Sequence, residues 1–129
     1  MTRQVIQTND APQAIGPYSQ GVLAEGRFVF VSGQIGLDPQ TMQLVEGGLE
    51  AQTRQVLSNL RAVLAAAGAT PADVVKTTVF LQSIDDYKAV NALYAEVFQH
   101  DPPARAAFGG LQLPAGALVE IECIARVST

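Results

Sequence analysis

The apolar residues of this chain recur at two spacings, period two over short runs and helical spacing over two longer ones. Val5-Ile6 marks a short edge strand, and Gly16-Pro17-Tyr18-Ser19-Gln20 a turn leading into the next one. Gly21 to Ala24 and Arg27 to Ser32 read as two strands joined at Glu25-Gly26, where glycine at the second loop position suits a tight hairpin needing positive φ. Phe28-Val29-Phe30-Val31 is apolar on both strand faces, so that strand is expected to be covered on both sides. Asp38-Pro39 opens a polar loop. From about Leu49 to Ala67, the residues Leu49, Val56, Leu57, Leu60, Val63, Leu64 and Ala67 form one helical stripe, and Gly68 is placed to end it. Thr70-Pro71-Ala72-Asp73 reads as a cap and a single turn. Val74 to Leu81 is β-branched and apolar, a central strand. Ser83 caps a second helix with the stripe Tyr87, Val90, Tyr94, Val97 and Phe98, broken by Pro102-Pro103. Ala104 to Leu111 and Leu118 to Val127 read as the last two strands, with Leu113-Pro114-Ala115-Gly116 between them as a type I turn.

The order is therefore βββαβαββ, an α+β domain over residues 1–129 with a six-stranded mixed sheet and two helices on one face. The other face carries apolar residues and no helix remains in the chain to cover it. Another subunit is the expected cover, which makes the protein a homo-oligomer.

Composition narrows the chemistry. With 129 residues, 48% of them hydrophobic, the chain has material for one core. One Cys (Cys123) permits no internal disulfide and no cysteine-based zinc site, and one His (His100) permits no multi-histidine metal centre. A net charge of −4 and a pI near 4.7 argue against a nucleic-acid partner. No apolar stretch is long enough to span a membrane, and Met1-Thr2-Arg3-Gln4 does not resemble a secretion signal, so the expected setting is the cytoplasm.

In the last strand, Val119, Ile121, Cys123 and Ala125 share one face, expected under the helices, while Glu120, Glu122 and Ile124 share the other. Those carboxylates are either solvated or, on a covered face, raised in pKa and fit to act as general base. Arg105, among small residues, is either an edge residue in a surface ion pair or a bidentate clamp for a carboxylate. Tyr18 is a packing residue or one presented outward from its turn. Gly33, after Ser32, is a turn glycine or a point of close approach. His100 is explained by its place at a helix end, and Cys123 as a small buried hydrophobe.

Taken in order, Ala14-Ile15-Gly16-Pro17-Tyr18-Ser19-Gln20-Gly21, Val31-Ser32-Gly33-Gln34-Ile35, Val75-Lys76-Thr77-Thr78-Val79-Phe80-Leu81, Val90-Asn91-Ala92-Leu93-Tyr94, Pro103-Ala104-Arg105-Ala106-Ala107 and Leu113-Pro114 with Val119-Glu120-Ile121-Glu122 resemble the Rid family (reactive intermediate deaminases), its RidA subgroup in particular. The resemblance spans nearly the whole chain. It implies a chorismate-mutase-like fold and a homotrimer with sites in the clefts between subunits. It also implies hydrolysis of 2-iminopropanoate and 2-iminobutanoate, formed from enamines released by pyridoxal-phosphate-dependent dehydratases, to 2-oxo acids and ammonia. On the same grounds Arg105 is the carboxylate-binding residue and Glu120 the water-positioning one, with Tyr18, Ser32, Gly33 and Asn91 in the pocket. Ala107 stands where many members have Cys, so it would contribute backbone groups only, and Phe108-Gly109-Gly110 is an unusual pocket floor. No metal and no cofactor is called for. Two other readings stand beside this one: a non-catalytic binder of small 2-oxo acids at the same cleft, and, by fold analogy alone, a mutase acting on a larger dicarboxylate, for which Arg105 lacks a second cationic clamp.

Overall fold

The computed structural model describes residues 3–127; Met1, Thr2, Ser128 and Thr129, which the sequence assigns to the same domain, lie outside the described residues. Six strands and two helices follow in the expected order: β1 (Arg3–Ile6), β2 (Gly21–Ala24), β3 (Arg27–Gln34), α1 (Gly48–Ala66), β4 (Val74–Leu81), α2 (Tyr87–Val97), β5 (Ala104–Phe108) and β6 (Val119–Val127). The fold is α+β. The strands do not form one sheet, however. β1 and β2 make an antiparallel ribbon of their own, and β3, β6, β4 and β5 make a four-stranded mixed sheet in that order, parallel only between β4 and β5.

The expected β2–β3 hairpin is thus a corner between two sheets. The Arg126 guanidinium donates to the Glu25 carbonyl at 3.0 Å, and Gly26, at φ 127°, turns its bare Cα toward that side chain. The corner is pinned to the end of β6, and β2 pairs with β1 instead. The Leu113–Gly116 turn also differs from the type I expectation. Ala115 sits at φ 58°, ψ 19°, so the third turn residue is left-handed, as in a type II turn.

Local signals elsewhere hold. Gly68, at φ 81°, ends α1, with its N–H on the Ala65 carbonyl and that of Ala69 on Leu64. Asp73 reaches back to the Thr70 N–H at 2.8 Å, closing the capping box before β4. Ser83 accepts from the Asp85 N–H and starts the short turn Ile84–Asp86 that enters α2.

The core lies between the helices and one face of the sheet. Val56, Leu57, Leu60 and Leu64 of α1 and Val90, Tyr94 and Phe98 of the second helical stretch bury against Val31, Val79, Leu81, Val119, Ile121, Cys123 and Ala125. Val63, placed in the α1 stripe by spacing, is instead exposed. The other sheet face is open within the chain. Phe28 is 40% exposed and Phe30 72%, so β3 is covered on one side only.

Two buried acids tie this core to pH. The Tyr94 hydroxyl bonds Thr77 Oγ1 at 2.7 Å, and burial pushes its pKa from 10.0 to about 12, against the lowering effect of Thr77 and the Arg105 charge. Burial, with a contribution from the Glu122 charge, pushes the Cys123 thiol from 9.0 to about 12. Both groups hold their protons longer when folded than when unfolded. Stability is therefore complete below the unfolded thiol's pKa and is lost as pH rises toward the folded values. The midpoint of thermal unfolding is expected to fall between about pH 8 and about pH 11, with a flatter slope in a Tyr94→Phe/Cys123→Ala variant.

Candidate active site

β5 is the sheet's edge strand, and its register with β4 sets Arg105 opposite Thr77 and Ala107 opposite Val79. Arg105 and Ala107 therefore share the face under the helices, while Ala106 and Phe108 point the other way. The long side chain of Arg105 runs along the underside of α2. Its Nη1 donates to Asn91 Oδ1 at 2.7 Å and its Nη2 to the Tyr87 hydroxyl at 2.9 Å. The guanidinium carbon lies 5.3 Å from the ring centre of Tyr18, 5.4 Å from that of Tyr87 and 5.0 Å from that of Tyr94. Tyr87, Asn91 and Tyr94 follow at helical spacing, so one face of α2 supplies both acceptors and two of the rings.

The remaining ring comes from the turn before β2. The Ser19 N–H bonds the Pro103 carbonyl at 3.1 Å and its hydroxyl bonds that of Pro102, which docks the turn on the start of β5. Tyr18 folds back so that its hydroxyl accepts from the Ile15 N–H at 3.2 Å. Gly16 lies so close that a Cβ there would sit 3.4 Å from Arg105 Nη2. Of the two readings of Tyr18, packing and presentation, the geometry combines both, with the ring face on a cation.

Among the described residues no carboxylate lies within ion-pair distance of Arg105; the ion pairs present join Arg54 to Glu50 and Glu96. The guanidinium is held by neutral acceptors and aromatic faces, which orient it without neutralising it. Most of its N–H donors remain available. This is the arrangement a carboxylate clamp needs, and it is unlike an edge arginine in a surface ion pair. Beside it, Tyr87 forms one wall of an open groove of about 480 Å³, lined also by Ile15, Ile84, Asp85 and Lys88.

Glu120 belongs to a second group. It pairs with Phe80 on β4, whereas its neighbours Val119 and Ile121 are fully buried under the helices, so it projects from the open face. The β3–β6 register slips between Val31↔Cys123 and Gln34↔Ile121, placing an extra residue at Ser32-Gly33. This bulge brings the Gly33 backbone under the Glu120 carboxylate. A Cβ at Gly33 would lie 2.9 Å from Glu120 Cδ and collide with Oε2. Gly33 is thus a point of close approach, and what approaches is a side chain. Phe80 and Phe108, stacked at 6.1 Å, continue the row along this face, with Phe108 half exposed. Ser32 and Glu122 are exposed.

The sequence-predicted residues fall into two sets. Tyr18, Asn91 and Arg105 converge, with Ala107 on the same face; Ser32, Gly33 and Glu120 cluster on the opposite one. Tyr87, Tyr94 and Gly16 belong to the first set but were not among the predicted site residues. The Tyr87 and Tyr94 positions read as core stripe; what sets them apart is the ring of each against the guanidinium and, for Tyr87 alone, a hydroxyl that accepts from it. His100 is exposed and Cys123 buried, both apart from these clusters. Among the described residues no group of three or more His, Cys, Asp or Glu could hold a metal ion, and no helix is long and apolar enough to cross a membrane.

Comparison with known proteins is consistent across sequence and structure. The family model described as Endoribonuclease L-PSP matches residues 8–127. The chain is 50% identical to a RutC family protein of Synechocystis, covering 100% of both chains. It is 48% identical to the human 2-iminobutanoate/2-iminopropanoate deaminase, over 97% of this chain and 90% of the human one. The solved structure of RidA from the Antarctic bacterium Psychrobacter superposes with a TM-score of 0.75 at 44% identity, over 96% of this chain and 99% of that one.

Proposed function

The chain belongs to the endoribonuclease L-PSP family, the Rid proteins among its members, and from that premise we propose that it hydrolyses small 2-imino acids to 2-oxo acids and ammonia. The observation that carries this reading is the Arg105 guanidinium, oriented by Asn91, Tyr87 and three tyrosine rings and lacking a carboxylate partner among the described residues. A net charge of −4 disfavours the alternative carried in the family description, cleavage of a polyanion, since RNA binding draws on clustered positive charge.

In this reading Arg105 takes the substrate carboxylate through two parallel N–H donors, helped by the backbone N–H near Ala107. Glu120 accepts a proton from water as the oxygen adds to C2 of the protonated imine, converting the C=N bond to a neutral carbinolamine. Glu120 then returns that proton to the nitrogen, the C–N bond breaks, and the hydroxyl proton passes to the departing ammonia, which leaves as ammonium while C2 becomes a carbonyl. Positioning plus one acid–base group is adequate for an imine that water attacks unaided. Tyr18, Asn91, Ser32 and Gly33 line the pocket, and no cofactor enters. The protein works in the cytoplasm as a homotrimer of one domain each. Support for the assembly comes from two features: the open face with Phe28 and Phe30 in need of cover, and the separation of Arg105 from Glu120 on opposite faces of one sheet. A small imino acid spans both only in a cleft where the helix-side edge of one copy meets the open face of another.

The test is a coupled assay in which a pyridoxal-phosphate-dependent dehydratase generates 2-aminoacrylate and release of the 2-oxo acid is followed. Gly33→Ala, which displaces the Glu120 carboxylate, is expected to lower kcat by about 10-fold or more with the affinity for pyruvate unchanged. A second reading, a non-catalytic binder of small 2-oxo acids, draws on the completeness of the Arg105 cluster without Glu120. It predicts pyruvate binding with no acceleration of imine hydrolysis.

A further inference from the structure

Resting on the clamp role of Arg105, we propose that Tyr87 is a positioning residue for this reaction, its hydroxyl fixing the plane in which the guanidinium meets the substrate carboxylate. Asn91 holds Nη1 alone, and the ring faces, which make no directional bond, leave the guanidinium a rotation about that one hydrogen bond. The Tyr87 hydroxyl on Nη2, one helical turn earlier, is the second fixed point. Two attachments to one rigid helix define a plane, and the fork geometry of a bidentate carboxylate depends on that plane. Both acceptors are neutral, so the orientation is achieved with the positive charge intact.

The structure also shows how Tyr87 is itself held. It is the first residue of α2, and the turn Ile84–Asp86 that delivers it packs on the end of β5, where a Cβ at Gly109 would lie 2.8 Å from the Ile84 backbone nitrogen and Cα. The glycine lets the strand that carries Arg105 and the turn that carries Tyr87 touch backbone to backbone. The unusual Gly109 thus registers the two ends of the hydrogen bond against each other. The Tyr18 hydroxyl, by contrast, is spent on the Ile15 N–H, and that of Tyr94 on Thr77. Of the three cage tyrosines, Tyr87 is the one whose hydroxyl reaches the arginine.

Tyr87→Phe keeps the ring and its packing and removes only this bond. In the coupled assay KM is expected to rise about 5- to 10-fold with kcat within about twofold, and the midpoint of thermal unfolding to stay put. The same substitution made on an Arg105→Lys background is expected to have no further effect, because an ammonium has no plane to fix. Pyruvate binding by calorimetry is expected to weaken in parallel with KM. An unchanged KM in Tyr87→Phe, or a rise of equal size on the Arg105→Lys background, overturns the proposal. A wild-type protein with no hydrolysis overturns the reaction reading and this inference with it while leaving the clamp to a binder, whereas an Arg105→Lys variant as active as wild type overturns the clamp reading itself and this inference with it. A defective Arg105→Lys beside an unaffected Tyr87→Phe sinks the role of Tyr87 alone.

Discussion

Arg105→Ala is expected to lower kcat/KM for imine hydrolysis by about 10³-fold while the chain still folds. The loss follows from what the guanidinium does and does not touch. In the protein it makes two hydrogen bonds to neutral acceptors and lies against three aromatic rings, contacts worth together about 3 kcal/mol net at a half-buried site. In the proposed reaction the substrate carboxylate depends on it for a charge-assisted fork, and removing one partner of such a desolvated pair costs about 4 kcal/mol. The substitution therefore separates the two roles, with catalysis falling by orders of magnitude and the unfolding midpoint moving by about 10 °C. Arg105→Lys keeps the charge without the fork and is expected to fall between.

The second large effect is expected of Glu120→Gln, a drop in kcat of about 10²- to 10⁴-fold with pyruvate affinity within about twofold of wild type. The amide is isosteric, rests over Gly33 as the carboxylate does, and cannot take a proton from water. This result also separates the enzyme from the non-catalytic binder, which would lose nothing. The placement of Glu120 and Arg105 on opposite faces adds a sharper consequence. If each cleft draws them from different copies, mixing Arg105→Ala and Glu120→Gln chains recreates intact clefts, roughly a quarter of the total in an equal statistical mixture. Activity is expected to return on co-refolding to about that level. Mixed assemblies as inactive as their parents would put both residues in one protomer's cleft and contradict the proposed geometry.

How far the sequence reached follows from which features are local. The alternation of β6 placed Val119, Ile121, Cys123 and Ala125 under the helices correctly, because a strand's two faces are decided within the strand. Gly68 as a helix stop and Thr70 to Asp73 as a capped turn are likewise decided over a few residues. Alternation also put Arg105 and Ala107 on one side of β5 and Glu120 on one side of β6. What it could not supply is the phase between strands. That is fixed by the registers Thr77↔Arg105 and Phe80↔Glu120, contacts remote in sequence, and a slip of one residue would bring the two side chains to the same face. The β2–β3 hairpin failed for a related reason. Two strands joined by a glycine satisfy the local rule for pairing, but the choice of partner was settled by β1 and by Arg126 at the far end of the chain. Tyr87 was hidden differently. Its position in the α2 stripe accounts for its ring, and nothing in the spacing reveals that its hydroxyl points at an arginine on another element. The roles proposed for Arg105 and Glu120 come from the resemblance to Rid proteins, and the geometry adds the cage, the bulge under Glu120 and the separation of the two.

The most direct measurement is the coupled assay on wild type and Arg105→Ala, with the dehydratase held constant and 2-oxo acid release compared with that in buffer. Acceleration by the wild type and a rate at the uncatalysed background for Arg105→Ala, with the variant folded, is the predicted result. Release no faster than buffer with the wild type, or equal acceleration by both proteins, would contradict it.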